Sequence, residues 1–336
     1  MKKLVYLFFV LGIVSESFGQ DAQFTQFNSV PMYLNPAFAG AGSSIHRFAA
    51  AYRNQWPGVE RGYSTYMASY DGSLVKYNAG AGLYFLQDQA GSSYLTNTQI
   101  GLNAAYAFDL NLKFKLRGGL QACFNQKKYQ VNKLTFNDQL ITNSPTSLDA
   151  GGSSTPLQFF DVGSGLLLDS KLMWFGVSAR HLNQPDQSLL GKGAALPMLI
   201  SAHGGYRYEI VKPEKAEDVS PHSIGGLLHY RHQGANDQLD IGAAYFYKVI
   251  NFTMWYRGIP FKTYTGYSNN ESLAFLIAFE PIGKGFKVGY SFDYTISTLS
   301  SKTTAGAHEI TLSHEIGSKG PMKRKSRKAI GGSMKF

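Results

Sequence analysis

The sequence has only one cysteine, Cys123, and few charged residues, which make up 16% of its 336 positions. A single cysteine excludes a disulfide within the chain. Its position far from the N terminus also excludes the cysteine-linked lipid anchor of a lipoprotein. The motifs Gly-x-Ser-x-Gly and His-Glu-x-x-His and the phosphate-binding glycine loop are missing as well. We therefore predict that the protein is not an enzyme and holds no cofactor or metal ion.

Apolar runs are too short to form a transmembrane helix. The longest, Leu4–Val14, has 11 residues, whereas a membrane-spanning helix needs about 20. This run follows Lys2 and Lys3 and is followed by small and polar residues up to Gln20, which is the order found in a secretory signal peptide. We predict that residues 1–20 direct export and are cleaved.

The positive charge is concentrated at one end of the chain. The formal net charge is +10, but residues 317–336 contain seven basic and no acidic residues, and residues 1–20 add +1. The rest of the chain is therefore almost neutral, which argues against a nucleic-acid partner. We interpret residues 317–336 as a basic periplasmic tail that is either a solvated extension or a binding site for an acidic partner through Lys323, Arg324 and Lys325.

Apolar and polar residues alternate along nearly the whole chain. In one example, Phe286, Val288, Tyr290, Phe292 and Tyr294 alternate with Lys287, Gly289, Ser291 and Asp293. Such a period of two predicts strands with one apolar and one wet face. Strands are predicted near residues 45–55, 62–72, 76–88, 92–108, 112–126, 156–168, 172–182, 198–210, 221–231, 237–247, 249–257, 270–280, 283–295 and 306–316.

The connections between these predicted strands alternate between short and long. Short ones include residues 109–111 and 169–171, with 211–220 as an exception, and long ones include 127–155, 183–197 and 258–269. This alternation and the even strand number are typical of outer-membrane barrels, whose short turns face the periplasm. We predict a transmembrane antiparallel β-barrel of about 14 strands over residues 45–316. Its lumen is too wide for barrel side chains alone to fill, so water, a loop or a partner must occupy it.

Two segments near the N terminus are candidates for partner contacts. Residues 21–44, with Asn35, Pro36 and Gly40, form either a structural lead into the first strand or a plug-like or periplasmic segment that contacts a partner. Arg53, Gln55 and Trp56 stand at the end of the first strand, where tryptophan commonly belongs to the interfacial aromatic belt. A docking role is the alternative for these three.

The motif from Asn35 to Gly40, the strand end Tyr52-Arg53-Asn54-Gln55-Trp56-x-Gly and the glycine- and aromatic-rich barrel resemble the PorP/SprF family of the type IX secretion system of Bacteroidota. The sequence departs from the family pattern before Thr65, where Tyr63 and its neighbours replace a usual proline. The resemblance implies an outer-membrane protein that either anchors a secreted adhesin at the cell surface or works with the periplasmic secretion and gliding ring.

The predicted barrel and the family resemblance lead to two hypotheses about function. The first is a partner-binding barrel whose partners are a secreted adhesin or its C-terminal domain, periplasmic ring proteins and outer-membrane lipid. The second is a passive diffusion porin for small solutes, because a barrel of this size can form a pore. A porin conducts when it is reconstituted alone, whereas a partner-binding barrel is expected to conduct poorly and to co-purify with a large secreted protein.

Overall fold

The computed structural model describes residues 21–60, 62–91, 95–128, 137–145, 147, 156–188, 193–212, 220–264, 267–281 and 285–318. The predicted signal peptide, residues 1–20, lies outside these described residues. So do the candidate tail residues Lys323, Arg324 and Lys325. Most of the long predicted loop at residues 127–155 is also outside them.

Within the described residues, fourteen strands form a closed barrel in which each strand pairs with its neighbours in sequence and β1 pairs with β14. All pairs are antiparallel, which confirms the predicted fold class. The strands are β1 (Ser44–Gln55), β2 (Tyr63–Leu74), β3 (Ala79–Ala90), β4 (Leu95–Asp109), β5 (Lys115–Lys128), β6 (Leu157–Asp169), β7 (Met173–Arg180), β8 (Leu199–Glu209), β9 (His222–Gln233), β10 (Asn236–Tyr247), β11 (Ile250–Tyr264), β12 (Tyr267–Phe279), β13 (Phe286–Thr295) and β14 (Ala307–Ser318).

The two faces of the barrel wall have the polarity that the alternation predicts. On β13, Tyr294 is 49% exposed on the outer surface, while its neighbour Asp293 is 3% exposed and faces the lumen. On β5, Leu120 is exposed and Gln121 is buried. Because successive side chains of a strand point to opposite faces, the polar set lines the interior and the apolar set faces outward. This is the arrangement that a lipid-facing barrel requires.

The connections differ between the two ends of the barrel, with one departure from the prediction. At one end lie short links such as 75–78, 170–172 and 248–249; we call this the short-turn end, and the opposite end the long-loop end. The predicted long loop at 258–269 is largely strand, because β11 and β12 pair as far as Tyr264 and Tyr267. The ladder continues through two register shifts, the first beside Gly258, whose φ of 143° suits only glycine. Pro260 lies in the second shift, which is why the sequence there resembles a loop.

The helical elements in the described residues are all short. Single turns of 3-10 helix span Phe27–Ser29, Pro36–Phe38 and Val75–Tyr77. The α-helices are α1 (Pro31–Leu34), α2 (Asn137–Thr142) and α3 (Ser301–Thr304). In the part of the chain that the structure describes, no helix has the length and apolarity to cross a membrane.

Residues 21–43, here called the N-terminal segment, lie inside the barrel. Their apolar side chains join those of the inner wall in one buried cluster that includes Met32, Tyr33, Tyr84, Trp174 and Trp255. The rings of Phe27 and Trp255 are 5.0 Å apart between centroids, and those of Phe38 and Trp174 are 5.4 Å apart. The apolar core of this protein is therefore the contact between the N-terminal segment and the barrel lumen, not a layer between two sheets.

Candidate functional site inside the barrel

The N-terminal segment crosses the lumen from the long-loop end towards the short-turn end. Its first described residue, Asp21, contacts His181, which directly follows β7 at the long-loop end. Its last part contacts Asp71, which lies on β2 near the short-turn end. There the backbone N–H of Gly40 donates to the Asp71 carboxylate over 2.9 Å. From there the chain enters β1 at Ser44. The segment therefore occupies the path that a solute would follow through an open barrel.

Near the long-loop end, the backbone of the segment is held by a single carboxylate. The N–H groups of Thr25 and Gln26 donate to the two oxygens of Glu309 over 2.7 and 2.8 Å. The Gln26 side chain donates to the Glu309 carbonyl and accepts from the Thr311 hydroxyl. Hydrogen bonds to a charged acceptor are stronger than those between neutral groups, so this is a firm attachment.

Two buried arginines complete this attachment. The guanidinium of Arg53 lies 2.8 Å from Asp293 and 3.2 Å from Glu309, and that of Arg257 lies 2.9 Å from Asp293 and 3.0 Å from Asp240. Both arginines also donate to the Thr25 hydroxyl, which in turn donates to Asp293. We call the set Thr25, Gln26, Arg53, Arg257, Asp293 and Glu309 the charged anchor. Its members are buried, so the charges compensate one another in place of water.

In the middle of the lumen, Asn35 fastens the segment to the opposite wall. Its side-chain N–H₂ donates to the carbonyls of Leu166 and Val177, each over 3.1 Å. The same nitrogen lies 3.1 Å from Nε2 of His203. Its side-chain oxygen accepts from the N–H of Ala37 and so caps the 3-10 turn at Pro36–Phe38. All the polar atoms of this buried amide are therefore used.

Glycines of the barrel wall make room for the segment at this level. A Cβ added at Gly119 would lie 2.2 Å from the backbone nitrogen of Ala37, and one at Gly165 would lie 2.1 Å from the side-chain oxygen of Asn35. Both distances are far below any normal contact, so a side chain at either position would displace the segment. We call the wall glycines that contact residues 32–39 in this way the glycine seat; they are Gly80, Gly82, Gly119, Gly165 and Gly176.

A second charged contact holds the very beginning of the segment. The Asp21 carboxylate lies 2.8 Å from Nε2 of His181 and 3.4 Å from a guanidinium nitrogen of Arg180, and Nδ1 of His181 lies 2.8 Å from Asp161. Burial by itself raises the pKa of the Asp21 carboxyl, but His181 and Arg180 outweigh burial and lower it below its usual range. Asp21 is therefore ionised at neutral pH.

Beneath Phe27 lies a buried polar cluster of residue types that can occur in hydrolases. The Ser201 hydroxyl is 3.0 Å from Nε2 of His229 and 3.0 Å from Nδ1 of His203, and Asp240 is 4.0 Å from Nδ1 of His229. The Phe27 ring packs on His229 with centroids 4.6 Å apart, so the N-terminal segment covers the cluster. In the described residues, no group of three or more His, Cys, Asp or Glu side chains is arranged to hold a metal ion.

The predicted contact residues occupy two different places. Asn35, Pro36 and Arg53 are buried in the lumen, Gly40 contacts Asp71 there, and Arg53 is only 2% exposed. Gln55 and Trp56 are half-buried at the long-loop end. There the Trp56 ring meets Tyr63 edge to face, and the backbone N–H of Trp56 donates to the Gly306 carbonyl. The lumenal residues can touch a partner directly only if the N-terminal segment moves.

Several residues of the site were not recognised in the sequence. Thr25, Gln26, Arg257 and Glu309 look like ordinary strand or linker residues, and His181 follows a strand without any motif. A charged residue at a lumen-facing strand position is unremarkable in a water-filled barrel. The one available signal was a set of four charged residues at inward-facing positions, with Asp240 and Arg257 paired on β10 and β11 and with Asp293 and Glu309 on the paired strands β13 and β14.

Comparison with known proteins supplies the family. The family described as "Type IX secretion system membrane protein PorP/SprF" matches residues 16–314, nearly the whole chain. The chain belongs to the PorP/SprF family. Family membership and the closed barrel together identify an outer-membrane protein of type IX secretion. No curated protein matches the chain.

Similar solved structures are barrels of low sequence identity. The CymD monoaromatic hydrocarbon channel has a TM-score of 0.47 at 10% identity, over 90% of this chain and 96% of that one. A mutant of the TodX monoaromatic hydrocarbon channel has 0.42 at 11%, over 89% and 96%. A mutant Rh. blastica porin has 0.33 at 8%, over 82% and 99%. These likenesses concern the fold alone.

Proposed function

We propose that this PorP/SprF barrel is a partner-binding component of type IX secretion, closed by its own N-terminal segment, that holds a secreted surface protein of the adhesin class at its long-loop end. The observation that supports this proposal is the path of residues 21–43, which cross the lumen and are fastened at both ends by buried charged groups. A barrel filled in this way is suited to presenting surfaces rather than to passing solutes.

The energetics argue against the alternative of a diffusion porin. Removing the segment would leave Arg53 and Arg257 without the Thr25 hydroxyl and Glu309 without two backbone donors. The ion pairs of these groups with Asp240 and Asp293 would remain and water would reach them, so the larger cost of opening is apolar. Opening exposes the contacts of Phe27 with Trp255 and of Phe38 with Trp174, and a large apolar side chain loses about 1.5–3 kcal/mol when it is exposed. Such a cost keeps the open state rare, because about 1.4 kcal/mol corresponds to a factor of ten in population.

The long-loop end offers an apolar surface to a partner. Leu140 and Ile141 on α2 are 71% and 84% exposed, and Phe261 in the β11–β12 hairpin is 98% exposed. Large apolar side chains are concentrated in the contact core of protein interfaces. We place the secreted partner on these residues, together with the half-buried Gln55 and Trp56 at the same end.

The first test separates a closed barrel from a porin. Purified protein in planar bilayers is expected to show no steady conductance, whereas an Arg53→Met variant, which weakens the charged anchor, is expected to show frequent openings. Steady wild-type conductance at the level of the variant would contradict the proposal and favour the porin.

The second test concerns the partner. We expect a native-membrane pull-down to recover a secreted surface protein, and the Leu140→Ser/Ile141→Ser variant to recover at least tenfold less of it. The matched control is Leu112→Ser, an exposed leucine in the short β4–β5 turn at the opposite end. If Leu112→Ser instead abolished recovery of periplasmic ring proteins and the α2 variant changed nothing, coupling to the ring would replace adhesin anchoring. In that case the basic tail with Lys323, Arg324 and Lys325 would be the next site to examine.

The export signal is tested separately. If residues 1–20 are cleaved, the intact mass of the purified protein corresponds to a chain that begins near residue 21. A mass that includes Met1 would contradict this prediction.

A further inference from the structure

His181 is placed between two carboxylates at the beginning of the N-terminal segment. Nδ1 lies 2.8 Å from Asp161 on β6 and Nε2 lies 2.8 Å from Asp21, and the imidazole has no solvent-exposed area. An ionised carboxylate only accepts hydrogen bonds, so both ring nitrogens must carry a proton for both contacts to be favourable. A neutral imidazole has one N–H and would turn a lone pair towards one of the carboxylates.

The charges around His181 balance only when the ring is protonated. Two carboxylates, Asp21 and Asp161, face the imidazolium and the Arg180 guanidinium, which gives a net charge of zero. Lys127 on β5 is electrostatically coupled to Asp21 and is itself close to Asp88 on β3. Loss of the imidazolium charge would leave an uncompensated negative charge at a buried position, which is strongly unfavourable.

The backbone conformation of His181 also indicates that this position requires the histidine side chain. His181 has φ of +58°, a left-handed conformation that is uncommon for residues other than glycine. The paired register of β6 and β7 ends two residues earlier, at Ser164 opposite Ala179, and Leu182 makes one further backbone bond to Val162 on β6. The imidazole therefore joins β6 to the N-terminal segment just beyond the paired register of β6 and β7.

We propose that Asp21, His181 and Asp161 form a proton-dependent latch that fixes the beginning of the N-terminal segment to the barrel wall and releases it when His181 loses its proton. Asp21 is the member that leaves, because Asp161 is held in β6 whereas Asp21 lies at the start of the segment. Residues 25 and 26 stay attached through the charged anchor. The release therefore frees only the first few residues at the long-loop end.

The direction of the pH dependence follows from the geometry. Burial alone lowers the pKa of His181, but Asp21 and Asp161 outweigh burial and raise it above its usual value. The stabilisation is therefore complete below about pH 6.5, the ordinary histidine pKa, and is lost as the pH rises through the raised value. Asp21 remains ionised throughout this range because its own pKa is lowered.

The test measures the protonation of His181 and the release of residues 21–24 separately. NMR of ¹⁵N-histidine-labelled protein in nanodiscs, with His181→Gln used for assignment, reports protonation of the ring. Hydrogen–deuterium exchange of residues 21–24, corrected for the intrinsic pH dependence of exchange, reports the release. We expect a doubly protonated ring at neutral pH, and at least a tenfold loss of protection between about pH 6 and about pH 10 that follows the NMR titration.

Two variants sharpen the outcome. His181→Arg keeps a positive charge and should protect residues 21–24 at every pH, while His181→Gln should leave them unprotected at every pH. Protection that stays constant in the wild type across the titration of His181 would overturn the latch. A neutral His181 at pH 6 would overturn it as well, and apart from the resonance assignment that measurement uses only the wild-type protein.

Discussion

Two parts of the N-terminal segment, its beginning and its middle, are attached to the barrel in different ways. Near the long-loop end, Thr25 and Gln26 are held by buried charges, and their contacts depend on the electrostatics of Arg53, Arg257 and Glu309. Further along, Asn35 and Ala37 lie in the glycine seat, where the fit depends on missing side chains. Charge makes the first attachment strong but sensitive to neutralisation, whereas shape makes the second tolerant of pH and sensitive to added volume.

The largest effect is expected from removing a charge of the anchor. Arg53→Met leaves Glu309 and Asp293 with less compensation and should lower the free energy of unfolding by about 3–5 kcal/mol. Urea unfolding in lipid vesicles, followed by gel mobility, measures this change. Lys262→Met is the control, because the Lys262 side chain is 39% exposed where it pairs with Asp237 on β10 and should matter far less. Equal losses in the two variants would show that the anchor is no stronger than a surface pair.

A smaller but distinct effect is expected from filling the glycine seat. The Cβ of Gly119→Ala meets the backbone of Ala37, which cannot move without shifting the segment, and overpacking of this kind costs about 1–3 kcal/mol. The adjacent Gly118→Ala is a matched control, since its Cβ points outward and the nearest atom, in Leu166, is 3.8 Å away. Both are followed by the same unfolding measurement. A control that is as destabilised as Gly119→Ala would mean that strand propensity, not the seat, determines the cost.

Asn35 both fits against the glycine seat and makes hydrogen bonds there. Asn35→Ala removes the cap of the 3-10 turn and the bonds to two strand carbonyls, and a loss of about 2 kcal/mol is expected from the cap range. Asn183→Ala is the comparison, because Asn183 bonds to the β6 backbone from an exposed position. If Asn35→Ala left the unfolding curve unchanged but reduced recovery of a secreted partner, Asn35 would serve the partner and not the lumen.

The smallest effect is expected from adding a side chain at Gly289, which lies beside the charged anchor. At Gly289 the added Cβ meets the side-chain oxygen of Gln26 at 2.3 Å, at the end of a side chain that can shift more easily than a backbone atom. That shift gives up the hydrogen bond that Gln26 accepts from Thr311, so Gly289→Ala should cost about 0.5–1.5 kcal/mol, the net contribution of one hydrogen bond. Thermal gel-shift midpoints of Gly289→Ala and Gly119→Ala, measured side by side, check the order. A reversal would mean that the side chain of Gln26 is more constrained than the backbone of Ala37.

Much of the fold could be predicted from the sequence, and the reason is local. The alternation at Phe286–Tyr294 places the outward and inward faces correctly, since the period of two depends only on strand geometry. Most strand bounds differ from the prediction by one to three residues. The region after Gly258 was predicted as loop and is strand, because bulges allow pairing to continue through residues that look like turn formers.

The site was predicted only in part. The sequence motif indicated Asn35, Pro36, Gly40 and Arg53 as candidates, and a plug-like segment was one alternative for residues 21–44, but no pattern indicated which groups of the lumen these residues contact. The pairing of Thr25 with Glu309 joins residues 284 positions apart. No local pattern encodes such a contact, because its partners meet only when the sheet closes.

By itself, the sequence determined the barrel, its two-faced strands, its approximate strand number and the position of most short connections. These features follow from hydrophobic periodicity and turn chemistry, which act over a few neighbouring residues. Only the tertiary structure decided what fills the lumen and how the buried charges pair. Those outcomes depend on which side chains closure of the sheet brings within hydrogen-bond distance, and on where missing Cβ atoms leave space for a second piece of chain.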